Sequence, residues 1–316
     1  MTASNRSIVP ISEADDVSRY GMKAASLAQL ASAGFPVPEA FCISADAYRA
    51  HAGRAGLPSL LSLLMAVPAD APAISLTPIL QRIRASVIHT PLDTELVSNL
   101  RAHYESLGSR AVSVRSSITV PDLVSGPLVG RHGTYFTPGF DETLHAITHC
   151  WTSLWGDLSW HDRVAAGLAG VDVAVAVVVQ ELIPAASSGV VFTADPATGE
   201  TETIVVESCY GLGEAIVAGK VKPDRFTLQR AGLTVTQSDV HPKAVRLLVD
   251  EGGRVVQRVV PPDLSHAASI TPYEVREIAA LALNVEPLVG GPACVEWARA
   301  GGTTWLLQAR PLVVGR

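Results

Sequence analysis

The chain has 316 residues, a formal net charge of -6, and 48% hydrophobic against 17% charged residues. That length allows two domains with a substantial core, and the composition suits an α/β or α+β protein, whereas the acidic balance without a long Lys/Arg run excludes the usual electrostatics of a nucleic-acid binder. Because the sequence shows neither a secretory signal nor an apolar run near the roughly 20 residues of a membrane helix, we expect a cytoplasmic protein without a membrane span.

The first half of the chain is predicted to mix helices with strands. Apolar residues at helical spacing predict a helix over residues 21–34, and an extended segment then leads to a second helix that starts at Ser44. A short strand is predicted over residues 111–114, and helical periodicity returns over residues 143–155. The β-branched run over residues 173–180 is typical of a buried strand.

The second half is predicted to be richer in strands. Two strands, over residues 189–193 and 203–207, lead into a short helix bracketed by glycines. Hairpins are predicted over residues 225–257, and one more helix over residues 272–285. The chain then forms two short strands joined by a glycine turn. No regular alternation of strand and helix is visible in either half.

An arginine stands at the end of the strand predicted over residues 111–114, in AVSVRSSITVPD. The forked guanidinium of Arg115 can donate two charge-assisted hydrogen bonds to a phosphate, with further donors from the following serines and a glycine-bearing loop over residues 125–135. Lys23 stands at the start of the first helix, beside the positive end of the helix dipole. Because a cation is unfavourable there by itself, its position favours an anion bound at the same helix end. The structural alternatives, an ion-paired Arg115 and a solvated Lys23, stay open on these residues alone.

A polar set lies on the predicted C-terminal hairpin, CVEWARAGGTTWLLQARPL. Glu296 in one strand, and Gln308 with Arg310 at the end of the next, can project towards one face of the hairpin. They would supply a carboxylate and an amide oxygen for a hard divalent cation and a guanidinium for the phosphate that the cation bridges. Because the apolar flanks make an unpaired charge costly, this pattern favours function over a chance polar hairpin.

The strand predicted over residues 173–180 ends in a polar pair. Gln180 and Glu181 precede Leu182 and Ile183 in the sequence. A strand end that offers backbone groups between apolar side chains can form hydrogen bonds with the edge of an adenine, and Ile183 would cover the ring.

Taken in order, these stretches resemble the ATP-binding domain of the phosphoenolpyruvate synthase, pyruvate phosphate dikinase and rifampin phosphotransferase family. The similar segments run over almost the whole chain, and they are GMKAASLAQLASAGFPVPEAF, VSVRSSITVPD, GRHGTYF, VVVQELIPAASSGVVFTADPATGE, IVVESCYGLGEAIVAGKVKPDRF and CVEWARAGGTTWLLQARPL. The resemblance implies an ATP-grasp fold of the α+β class, with two lobes over residues 1–182 and 183–316 and the nucleotide between them.

The resemblance also implies ATP and Mg²⁺ as cofactors and a role for each matched residue. The cations that it assigns to the phosphates and to catalysis are Lys23, Arg115 and Arg310. The residues that it places around the rest of the nucleotide are Gly133 and Thr134 in a glycine-rich loop, and Gln180, Glu181 and Ile183 at the adenine. The metal ligands that it implies are Glu296 and Gln308.

The activity implied by the resemblance is ATP-dependent phosphoryl transfer. Multidomain members of the family carry the phosphoryl group on the histidine of a swivelling domain, and this chain is expected to be a freestanding module without that domain. The expected acceptor is therefore a phosphohistidine domain supplied by a separate protein. The alternatives are a direct small-molecule kinase, a ligase that forms an acyl phosphate, and a nucleotide-binding regulatory protein without turnover.

Overall fold

The computed structural model describes residues 7–68, 73–108, 111–120 and 133–314. The chain forms two compact units, one of residues 1–28 and 39–181 and the other of residues 29–38 and 182–316. The sequence interpretation placed the segment 29–38 in the first lobe, whereas the structure places it with the second unit. The backbone shows why, because the N–H of Leu306 donates to the carbonyl of Pro36 at 2.8 Å.

The first unit is built on a five-stranded antiparallel sheet in the order β1-β2-β5-β3-β4. Its strands are β1 Ile8–Pro10, β2 Ala40–Ile43, β3 Val112–Ile118, β4 Thr134–Thr137 and β5 Val175–Glu181. The helices in this part of the chain are α1 Val17–Ser32, α2 Ala45–Arg54, α3 Leu57–Met65, α4 Thr77–His89, α5 Thr94–Ser106, α6 Phe140–Thr152 and α7 Asp157–Ala165. The β-branched run therefore forms the central strand, β5.

Helices cover one face of this sheet. Val114 of β3 and Val177 of β5 point to that face and are fully buried in one cluster with Trp151 of α6. Because successive strand residues point to opposite faces, Arg115 and Ser117 lie on the other face. Arg115 and Ser117 thus lie on the sheet face opposite this apolar cluster.

The strand that carries Arg115 is longer than predicted. It was expected to end at residue 114, but β3 continues to Ile118 because it pairs with β5 along its whole length. Arg115 and the two serines therefore lie inside a central strand and not in a loop after it. Alternation directs Ser116 to the face opposite Arg115, so the two serines cannot serve one anion together through their hydroxyls.

The second unit contains a six-stranded sheet in the order β13-β12-β6-β7-β8-β9 and a two-stranded hairpin of β10 and β11. Its strands are β6 Ser187–Phe192, β7 Thr203–Tyr210, β8 Asp224–Gln229, β9 Thr234–Asp239, β10 Val245–Val249, β11 Val255–Val259, β12 Ala293–Ala300 and β13 Thr303–Pro311. Its helices are α8 Glu214–Val217, α9 Pro262–Ser265, α10 Pro272–Leu283 and α11 Glu286–Val289. Across the described ranges, no helix combines the length and hydrophobicity needed to cross a membrane.

Helix α10 packs on one face of the six-stranded sheet, against β6, β7 and β12. The strand residues on that face include Val191, Val206 and Val295, all of which are buried. Glu296 follows Val295 in β12 and so points to the opposite face, where it is half-buried. Each unit therefore has one apolar sheet face under helices and one face that carries polar side chains, which confirms the α+β class.

Candidate functional site

The residues predicted to hold phosphate and adenine in the first unit share the polar face of its sheet. Arg115 on β3 lies directly opposite Thr134 on β4. Gln180 on β5 lies opposite Ser113, which is two residues from Arg115 and so points the same way. Arg115 is 9% exposed and Gln180 1%. Three side chains that are distant in the sequence thus line up across three adjacent strands.

Lys23 reaches the same strand from helix α1. Its Nζ donates to the carbonyl of Ser116 at 3.1 Å, and the N–H of Ala24 donates to Ser117 Oγ at 3.2 Å. The helix begins earlier than predicted, at Val17, and is broken at Gly21, whose φ of 76° and ψ of 171° are not helical. Lys23 therefore follows a break in α1 that is fixed directly to the strand of Arg115.

Gly21 makes this close approach possible. An ideal Cβ at this position would lie 2.4 Å from Ser117 Oγ and 2.5 Å from the carbonyl carbon and oxygen of the same residue. The positive φ also disfavours any residue with a Cβ. A side chain here would push α1, and Lys23 with it, away from β3.

The glycine-bearing loop predicted over residues 125–135 is only partly covered by the structure. Residues 121–132 lie outside the described residues. Gly133 is exposed, and Thr134 is half-buried as the first residue of β4. Of this loop, Thr134 is the residue that the strand register places beside Arg115.

The end of β5 differs from its expected use in one respect. The N–H of Glu181 donates to the carbonyl of Glu39 at 2.8 Å, so this backbone donor is already engaged. The side-chain Nε2 of Gln180, in contrast, is buried and has no hydrogen-bond partner among the described residues. Burial raises the pKa of the Glu181 carboxyl, and the charge of Glu39 raises it further. The strand end thus offers a side-chain amide in addition to the backbone groups that were predicted to contact the base.

The predicted metal ligands are direct neighbours in the second unit. Glu296 on β12 lies opposite Gln308 on β13, at a bulge between Glu296 and Trp297. Gln308 Oε1 is buried and accepts no hydrogen bond in the part of the chain that the structure describes. A carboxylate beside an amide oxygen that lacks a donor is a fitting ligand pair for a hard divalent cation such as Mg²⁺.

This pair would need further oxygen ligands to complete the coordination of such a cation. Within residues 7–68, 73–108, 111–120 and 133–314, no group of three or more His, Cys, Asp or Glu side chains could hold a metal ion. Mg²⁺ usually keeps several waters and is held by one or two carboxylates together with substrate phosphates. The donor set at Glu296 and Gln308 fits that pattern.

Three charged side chains surround Cys294, which lies opposite Arg310 in the strand register. Burial raises the pKa of the Cys294 thiol to about 11, while the charge of Arg310 lowers it and the charges of Glu296 and Glu207 raise it. Arg310 is the penultimate residue of β13, which runs to Pro311 and so is longer than predicted. The charges of Arg310, Glu296 and Glu207 therefore all act on the same small region of the sheet, around Cys294.

Glu207 is a residue that the sequence reasoning did not single out. It lies opposite Val190, which in turn lies opposite Glu296, so both carboxylates share one row and one face, about 10 Å apart by strand spacing. Arg225 on the next strand donates to Glu207 Oε1 at 3.0 Å. Only strand pairing over long sequence distances creates this row, so no local pattern could have identified it.

The sequence matches the family model described as pyruvate phosphate dikinase, AMP/ATP-binding domain, over residues 17–316. It is 35% identical over 297 residues to the prodigiosin synthesizing transferase PigC of Serratia marcescens, covering 93% of this chain and 31% of that protein. It is 31% identical over 304 residues to the probable phosphoenolpyruvate synthase of Methanocaldococcus jannaschii, covering 94% of this chain and 26% of that protein. It is 31% identical over 322 residues to the phosphoenolpyruvate synthase of Escherichia coli K12, covering 95% of this chain and 41% of that protein. The chain thus spans well under half the length of these relatives.

Proposed function

The chain belongs to the family of the pyruvate phosphate dikinase AMP/ATP-binding domain, with its ATP-grasp fold, and from this premise we propose that it binds ATP with Mg²⁺ and transfers a phosphoryl group from it. The observation that carries the proposal is the attachment of Lys23 to the strand of Arg115 through Gly21. Two cations from distant parts of the sequence are thereby held on one sheet face. Such prearranged cations are what phosphoryl transfer requires, because the transferred group bears charge on all its oxygens.

In this proposal the first unit binds the phosphates and the base. Arg115 donates two hydrogen bonds through its forked guanidinium, and Lys23 adds a point charge. Thr134 offers a hydroxyl, and Gly133 a backbone amide, next to Arg115. Gln180 donates from its buried Nε2 to an acceptor on the adenine ring, which satisfies an amide that otherwise lacks a partner.

Residues of the second unit act on the metal and the terminal phosphate. Glu296 and Gln308 would hold the ion, and Arg310 would neutralise charge on the phosphoryl group as it leaves. When bound, Mg²⁺ would act as a Lewis acid that offsets charge on the phosphate oxygens. Ile183, which is 6% exposed, contributes an apolar contact to the base.

The acceptor that we propose is a histidine of a phosphohistidine domain, and we propose that a separate protein supplies it. Support comes from relatives named phosphoenolpyruvate synthase, because the resemblance to that family implies that a histidine carries the phosphoryl group. The alternatives remain a direct kinase or acyl-phosphate ligase, and a binding protein without turnover.

The nucleotide product distinguishes these possibilities. The purified protein is incubated with ATP and Mg²⁺ in a cell extract depleted of small molecules, with and without the metabolite fraction, and the product is identified by phosphorus NMR. We expect AMP together with an equal amount of inorganic phosphate, formed without the metabolite fraction, because one of the two phosphoryl groups lost from ATP goes to the histidine and the other to water. ADP that requires this fraction would indicate a direct kinase or ligase, and intact ATP in both samples would contradict turnover.

Gly21→Ala is expected to weaken binding of a non-hydrolysable ATP analogue at least ~10-fold, because α1 must move away from Ser117 and take Lys23 with it. The positive φ alone costs on the order of 1–3 kcal/mol. Gly34→Ala is the matched control, since Gly34 also has a positive φ of 80° but its Cβ would meet nothing within 4 Å. Equal affinity in the two variants, measured by calorimetry, would show that the contact with Ser117 does not position Lys23.

A further inference from the structure

A cavity of about 370 Å³ lies among helices α2, α3 and α7 and the segment 169–173 of the first unit. None of the residues proposed above for nucleotide binding lines it. Most of its lining is apolar, with contributions from Leu57, Leu61 and Met65. Its volume lies within the range of small-molecule sites, which combine apolar walls with a few placed polar groups.

Arg163 is the most deeply buried charged residue of this lining, at 5% exposure. Its Nε donates to the carbonyl of Leu168 at 3.0 Å, and its Nη2 donates to the carbonyl of Val171. The third nitrogen, Nη1, is buried and has no hydrogen-bond partner in the described ranges. Two nitrogens thus hold the segment that forms one wall of the cavity, and the guanidinium also lies over the rings of Trp155 and Trp160, at 5.5 and 5.2 Å from their centroids.

The other polar groups of the lining also favour a ligand that accepts hydrogen bonds. Tyr48 Oη accepts a bond from Trp155 Nε1 at 3.0 Å, which leaves its own proton to donate. Burial raises the pKa of Tyr48 to about 12, so the hydroxyl keeps that proton at neutral pH. Arg49 forms ion pairs with Asp172 at 2.9 Å and with Asp46, outside the lining, at 3.0 Å, so Arg163 is the remaining cation of the lining.

We propose that this cavity binds a small monocarboxylate with an apolar chain or ring. The carboxylate accepts hydrogen bonds from Arg163 Nη1 and Tyr48 Oη, and the apolar body lies against the helical walls. This site is independent of the proposed phosphoryl transfer, because it rests on residues that have no part in nucleotide binding.

Octanoate is the probe for this site, titrated into the full chain by calorimetry, with octanamide as its neutral counterpart. We expect octanoate to bind at least ~10-fold more tightly than octanamide, since a charged acceptor roughly doubles the strength of a hydrogen bond to a guanidinium. Absence of octanoate binding at millimolar concentration would overturn the proposal. Equal affinity for octanamide would overturn the role of Arg163.

Gly53→Leu tests whether octanoate binds in this cavity. Arg163 itself is left unchanged, because its hydrogen bonds also hold the cavity wall. Gly53 lines the cavity within α2, its φ is not positive, and an ideal Cβ there meets nothing within 4 Å. The leucine should fill the cavity and weaken octanoate binding at least ~10-fold, while the melting temperature is maintained by its better helix propensity. Ala50→Leu, an exposed position on the same helix, is the control and should bind as the wild type does. Unchanged binding in Gly53→Leu would place octanoate elsewhere and overturn the site.

Discussion

Glu296→Gln is expected to lower the rate of ATP-dependent phosphoryl transfer at least ~100-fold while the protein stays folded. The substitution keeps the size of the side chain but removes the negative charge from the proposed pair with Gln308. The fold should tolerate it because Glu296 is half-buried on the polar face of the sheet, whereas the neighbouring Val295 and Trp297 are fully buried. Turnover is measured by product formation and folding by thermal melting followed by circular dichroism.

Two further observations make this test specific for the metal. Glu251→Gln, at an exposed turn position, removes the same charge without entering the site and should leave turnover unchanged. The Mg²⁺ concentration needed for half-maximal activity should rise in Glu296→Gln and not in the control. Full activity of Glu296→Gln would refute the metal role, and a lowered melting temperature would indicate a structural role for the carboxylate.

Asp224→Asn is expected to lower the free energy of unfolding by about 3–5 kcal/mol, the typical cost of leaving a buried charge without its partner. Asp224 and Lys243 are both fully buried and form an ion pair. Lys243 Nζ also donates to the carbonyl of His241 at 2.7 Å, and Asp224 Oδ2 accepts from the N–H and the hydroxyl of Ser269 at 2.8 Å each. This network connects the first residue of β8 to two later parts of the second unit.

Urea unfolding monitored by circular dichroism measures the effect of Asp224→Asn. Asp15→Asn, at an exposed position, should change the unfolding free energy by less than about 0.5 kcal/mol. The double variant Asp224→Asn with Lys243→Met should recover part of the loss, since it also removes the uncompensated ammonium. A loss below about 1 kcal/mol in the single variant would show that water reaches the pair and solvates Lys243.

The elements that could be predicted from the sequence are those with local signals. The helix predicted to start at Ser44 does begin there, with Ser44 Oγ accepting from the N–H of Ala47. The predicted glycine turn joins β12 and β13 through Gly301 and Gly302, whose φ angles of 58° and 81° suit a two-residue hairpin turn. Helix caps and turns are determined by residues close together in the sequence, and so they can be predicted from a single sequence.

The features that could not be predicted depend on contacts between distant residues. The end of β3 was placed too early because buried polar residues such as Arg115 and Ser117 look like the start of a loop. The break of α1 at Gly21 allows the close approach of Ser117, on a strand nearly a hundred positions away. The row that contains Glu207 and Glu296 exists only through the register of the second sheet. Site residues could therefore be nominated by chemistry and resemblance, but their neighbours could not.

Binding of a non-hydrolysable ATP analogue, measured by calorimetry with and without Mg²⁺, is the most direct test of the central claim. The account predicts one nucleotide site per chain, with an affinity that rises when Mg²⁺ is present because Glu296 and Gln308 then contribute through the ion. Absence of binding, or an affinity that Mg²⁺ leaves unchanged, would contradict it.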